Sequence, residues 1–168
     1  MNRIFALLML GLVPVLALSS ESSSDEGFFK SAAEGGLAEV AAGKLAESKA
    51  TTPALKDFGG MMVKDHSTAD QQLWKIASAK DIKMPTTASL EQVAARDRLK
   101  LLSGDSFDKA YIKNQIDAHR DTIALFKKEA SFGHDPQAKE FATATLPTVQ
   151  AHLDRIMKIA GSAGVSTD

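Results

Sequence analysis

Four residues of the chain carry side chains that could hold a transition-metal ion if a fold gathered them: Glu39, His66, His119 and His152. Each interrupts a row of apolar residues spaced three and four apart, the pattern of one helical face. His66 falls in Leu55, Phe58, Met62, His66, Ala69, Leu73, Ile76. His119 falls in Ile112, Ile116, His119, Ile123, Phe126, and His152 in Thr145, Thr148, His152, Ile156, Ile159. Glu39 stands among Gly35, Ala42 and Ala46, small enough to leave room for its carboxylate.

A lone carboxylate on a buried face is costly unless it is paired or neutralised. Neutral imidazoles with one carboxylate form a reasonable shell for a single first-row ion. A tetrahedral set of three His and one Glu suits zinc best, with iron next. Asp65, Tyr111 and Gln115 stand where they could fix a histidine tautomer from outside the shell. Two other readings fit the same residues. One is a metal-free polar layer whose His–Glu and His–Asp hydrogen bonds set helix register. The other is a small-molecule or catalytic pocket.

Much other chemistry is excluded by composition. With no cysteine, the chain makes no disulfide, thiolate site or thiol nucleophile. Twenty Lys and Arg against 21 Asp and Glu give a net charge of −1 without a basic block, so nucleic acid is not an expected partner. No Gly-rich phosphate loop is present. No Ser-His-Asp arrangement or second acid beside Glu39 argues for an enzyme, and a metalloenzyme would need an open coordination position. His134, in Gly133-His134-Asp135-Pro136, reads as a solvated turn residue, and Met61 and Met62 read as core filler.

The elements that must position the four residues are long helices. The spacing predicts one from about Asp25 to Ala50 with Ser24 as cap, and one from Thr52-Pro53 to about Ala79. A third is predicted from Ser106 to Phe132, ended by a left-handed Gly133, and a fourth from Asp135-Pro136 to about Gly161, kinked at Pro147. The first and last pairs have short links and must be antiparallel neighbours. The long link between them contains its own helix, about Leu90 to Leu102, opened by a Ser89/Gln92 capping box. The resulting expectation is an all-α, ferritin-like four-helix bundle with a long crossover, over residues 28–161, followed by a tail at 162–168.

Residues 1–19 read as a secretory signal peptide and 20–27 as a short solvated leader. The apolar run from Ile4 to Leu18 spans about 22 Å as a helix, short of a hydrocarbon core of about 30 Å. The mature chain is therefore expected to be exported without a membrane span, in the periplasm or associated with the outer membrane. A second copy of the chain or another envelope component stays open as partner.

Three strings resemble a known family: Met62-Val63-Lys64-Asp65-His66; Phe107-Asp108-Lys109-Ala110-Tyr111-Ile112 with His119 following; and Leu146-Pro147-Thr148 with His152-Leu153. They are similar to the bacterial exported family called domain of unknown function 4142, also labelled predicted outer membrane protein. The resemblance runs from about Phe28 to Ile159 and implies a ferritin-like bundle outside the cytoplasm, with Asp65, His66, His119 and His152 at family positions. It implies no activity. The chain departs from the di-iron pattern of ferritin-like proteins, since Val63, Ile116 and Val149 stand where Glu-x-x-His would need glutamates.

Overall fold

The computed structural model describes residues 19–167, so the expected signal peptide lies, except for Ser19, outside the described residues. Five α-helices form: α1 (Ser19–Lys49), α2 (Pro53–Ser78), α3 (Leu90–Lys100), α4 (Gly104–Phe132) and α5 (Pro136–Ser162). No strand occurs among the described residues, and the all-α expectation holds.

Local chemistry sets the boundaries. Thr52 accepts from the Leu55 amide at 3.3 Å, with Pro53 in the first turn of α2. Ser89 and Gln92 exchange both bonds of a capping box at the start of α3. Asp135 accepts from the Gln137 and Ala138 amides at 2.9 and 3.0 Å, opening α5.

Three boundaries differ from the sequence expectation. Helix α1 extends back to Ser19, so Ser24 is not its cap and residues 20–27 are helical. Asp25 is buried and accepts from the His134 and Asp135 amides, which ties this stretch to the α4–α5 link. Helix α4 begins two residues early, at Gly104, whose φ of +59° suits glycine. Gly133 is extended (φ −62°, ψ 152°) rather than left-handed. Its missing Cβ leaves room for the Glu129 carboxylate and carbonyl, so crowding explains the glycine.

Contacts between helix ends define the topology. The Thr51 amide and hydroxyl bind Asp108, placing the α1–α2 link beside the start of α4. The Asp25 bonds place the start of α1 beside the α4–α5 link, and Lys80 reaches Asp135 at 2.5 Å from the end of α2. Around the bundle the order is α1, α2, α5, α4, with every neighbour antiparallel. The segment containing α3 crosses the length of the bundle and lies against α1 and α4. Two hairpins joined by a spanning crossover is the topology expected from the link lengths.

The α1–α2 pair is unusually close at Gly43 and Gly59. A Cβ on either glycine would stand 2.7 Å from the carbonyl oxygen of the other. Only hydrogen fits there, and α2 is drawn toward α1 two turns before His66.

Two apolar cores fill the bundle. One, toward the α1–α2 link, joins Phe58, Met62, Phe107, Tyr111, Ile116 and Ile156. The other, toward the α4–α5 link, is built on Phe28, Phe29, Leu73, Phe126 and Phe141, with Phe28 and Phe126 edge-to-face at 5.2 Å. Between Met62 and Leu73 on α2, and between Ile116 and Phe126 on α4, the stripe turns polar.

Candidate metal centre

The sequence spacing carries His66, His119 and His152 to one level on three helices, and there the rings meet. Their centroids form a near-equilateral triangle: 6.0 Å for His66–His119, 5.5 Å for His66–His152 and 5.6 Å for His119–His152. One nitrogen from each ring lies within 4.8 Å of the others. His119 and His152 are 1% and 3% exposed.

Hydrogen bonding decides which nitrogens face inward. His119 Nδ1 lies 2.7 Å from the Gln115 carbonyl, which can only accept, so Nδ1 carries the proton and Nε2 keeps a bare lone pair. His152 Nε2 lies 3.1 Å from Asp65 Oδ2, and donating there leaves Nδ1 bare. His66 Nε2, His119 Nε2 and His152 Nδ1 are all sealed from solvent, and none has a hydrogen-bond partner.

The electrostatics keep His66 and His152 neutral. Burial drives the His66 pKa down to about 3, helped by the neighbouring His119 and His152. Burial also lowers the His152 pKa, against the opposing effect of its hydrogen bond to Asp65. A neutral imidazole is the form that coordinates a metal. Three buried ring nitrogens without a hydrogen-bond partner are uncompensated, because a buried unsatisfied polar atom costs about 1–3 kcal/mol.

Glu39 departs from the sequence expectation. It is buried, at 6% exposure, but stays outside the triad. Its Oε2 instead accepts from Gln115 Nε2 at 2.8 Å. The side chain of Gln115, expected to orient a histidine, is committed to this carboxylate, and only its backbone carbonyl serves His119. Burial raises the Glu39 pKa, opposed by His119 and by the Gln115 bond. Tyr111 orients no ring either: it stacks on Phe107 at 5.8 Å, and its hydroxyl has no partner. Among the three expected orienting side chains, Asp65 alone bonds a ring of the triad.

The remaining sequence readings fall into place around this centre. Met62 is core, Met61 accepts a bond from Arg155 at 3.4 Å, and His134 is an exposed turn residue. Sequence reasoning missed Asp70, which lines a cavity with His66 and His152. Its signal was available: Asp70 follows His66 by one helical turn on α2.

In donor type and number the triad suits one ion. Bonds of about 2.0–2.1 Å to three nitrogens place those atoms about 3.3–3.6 Å apart. Nitrogens within 4.8 Å reach that spacing by ring movements of about an ångström. No helix among the described residues is long and apolar enough to cross a membrane.

Comparison with known proteins agrees with this architecture. The profile of the family described as Domain of unknown function (DUF4142) matches residues 14–159. No curated protein matches the chain in sequence. Among solved structures, CopM in the Cu(I)-bound form superposes with a TM-score of 0.69 over 82% of this chain and 96% of its own, at 13% identity. At that identity the likeness is one of fold.

Proposed function

For this chain, which belongs to the DUF4142 family, we propose a role as an exported metal-binding protein that holds one first-row transition ion on His66, His119 and His152. The observation that carries this reading is the convergence of three buried ring nitrogens, none of which has a hydrogen-bond partner. A metal-free layer that only set helix register would be expected to satisfy its own acceptors, and this one leaves three open. Asp65, bonded to the outer nitrogen of His152, makes the carboxylate–histidine arrangement that orients a ligand and raises its basicity.

With Glu39 held by Gln115, the donor set is three imidazoles, which suits zinc or copper. A protein of the same fold has been solved with Cu(I) bound, which supports a metal-related reading. The apolar run at Ile4 to Leu18 supports action outside the cytoplasm.

The test is metal analysis of the chain purified without a histidine tag. We expect close to one zinc or copper per chain. At a free-ion concentration 100-fold above Kd, the ion should stabilise the fold by about 2.7 kcal/mol, a rise in Tm of about 5–10 °C. Metal-free protein whose melting ignores both added ion and chelator would leave the register layer as the better account.

A further inference from the structure

A cavity of about 50 Å³ opens beside the triad on the side of the Phe28–Phe126–Phe141 core. His66 and His152 contribute to its wall, as do Thr148, Phe126 and Gly35. Asp70 is the carboxylate on this wall beyond the histidine-bound Asp65. The volume is room for about three or four water-sized groups.

Adjacent glycines on α1 shape this space in opposite ways. A Cβ on Gly36 would collide with the Asp70 carboxylate, so that glycine is the notch in which Asp70 sits. A Cβ on Gly35 would meet nothing within 4 Å, so that glycine borders open space. Glycine inside a helix costs about 0.5–1 kcal/mol relative to alanine, and at Gly35 no steric demand accounts for it. Asp70 is not neutralised by a partner: burial is the one influence that moves its pKa, up to about 7.

Three imidazoles leave a tetrahedral ion one ligand short. Glu39, which could have filled the gap, is bonded elsewhere. We propose that the cavity is the exogenous-ligand compartment of the centre, where an ion on His66, His119 and His152 accepts a ligand of about one to three heavy atoms that Asp70 faces. The ligand is of the class of water, hydroxide or a small linear anion. It donates one lone pair to the metal, and no redox change is required. Asp70 disfavours anions and accepts a hydrogen bond from a protic ligand. This inference rests on the metal-binding reading.

Cobalt(II) serves as the spectroscopic ion, because its visible bands report coordination number and ligand type, and sodium azide serves as the probe ligand. Cobalt content is measured first. Titrating azide into the loaded protein should shift the bands saturably, with one azide per metal. In the series Gly35→Ala, Gly35→Val and Gly35→Leu, cobalt affinity should stay within about two-fold, while azide affinity falls stepwise, by ten-fold or more for Leu. Gly35→Ala should fold at least as well as the parent, which guards against misfolding in the larger variants. Asp70→Asn should bind azide several-fold more tightly. Cobalt binding without an azide response, or an azide affinity indifferent to Gly35→Leu, overturns the compartment. An unchanged affinity in Asp70→Asn removes Asp70 from it. Failure to load cobalt at all defeats the metal-binding reading instead, so the two failures are distinguishable.

Discussion

Two buried polar groups sit side by side in the bundle and meet the same problem differently. Glu39 and Gln115 join α1 to α4 by one direct hydrogen bond of 2.8 Å, donor to acceptor. Across from them, His119 and His152 turn their protons outward, to a carbonyl and a carboxylate, and their lone pairs inward, where His66 Nε2 also stands without a partner. The first pair meets donor to acceptor within the protein, with Gln115 Oε1 its one unpartnered buried atom among the described residues. The triad has no such complement, and on the proposed reading a cation would supply it. The difference shows that burial and polarity alone do not mark a site. What marks one is the sign of what is left unpaired.

The largest effect should come from exchanging one member of each group. His119→Gln keeps volume but removes an inward lone pair, and metal affinity should fall by more than about 100-fold, since losses around the ligands already cost 10–100-fold. Glu39→Gln keeps the bonding partner Gln115 and should change affinity by less than about ten-fold. Competition against a chromophoric chelator measures both. Equal losses in the two variants would mean that Glu39 swings in as a fourth ligand, and the distinction between the groups would collapse.

That the three histidines meet while Glu39 stays outside the group is a matter of reach. A histidine on a helix stripe is short and stiff, so its register position nearly fixes its ring, and positions 66, 119 and 152 were legible from spacing alone. Glutamate has three rotatable bonds, and which neighbour it meets depends on the side-chain choice of Gln115, which no period encodes. The helices themselves were legible because caps such as Thr52, Ser89 and Asp135 act through adjacent residues. The start of α1 was not, since Asp25 is held by amides more than a hundred positions away. Asp70 stands one turn after His66 and could have been read from that spacing, but the cavity could not, for the same reason: the notch at Gly36 belongs to another helix.

A smaller effect sharpens the comparison from outside the triad. Asp65→Asn keeps shape but can present its amide to His152, which frees the ring to take the other tautomer and point a proton inward. Metal affinity should drop by about 10–100-fold, less than on losing a ligand, while Tm of the metal-free protein changes little, because Asp65 is partly exposed. Isothermal titration with zinc reads the first quantity, and calorimetric melting the second. No loss of affinity would mean that the His152 tautomer is set by something other than Asp65.

The gentlest distinction is how metal-free stability depends on pH, because the two groups pull in opposite directions. His66 has a folded pKa of about 3 against an ordinary 6.5. Between those values the unfolded chain takes up a proton that the folded chain refuses. Stability is therefore full above pH 6.5 and is lost as pH falls toward 3, by at most about 1.4 kcal/mol per pH unit for this one group. The lowered pKa of His152 acts in the same sense. Glu39 does the reverse: its folded pKa lies above the ordinary 4.5, so its contribution is full below that value and declines as pH rises toward the folded one. Asp70, raised to about 7, behaves as Glu39 does. Urea unfolding of the metal-free parent and of Glu39→Gln, from pH 4 to pH 8, isolates the glutamate, since the histidines and Asp70 are common to both. The two curves should run together at the acid end and separate upward in pH, with the Gln variant the more stable. Curves that stay parallel across the range would show that Glu39 is ionised in the folded bundle, and the triad would then have an anion beside it rather than a neutral neighbour.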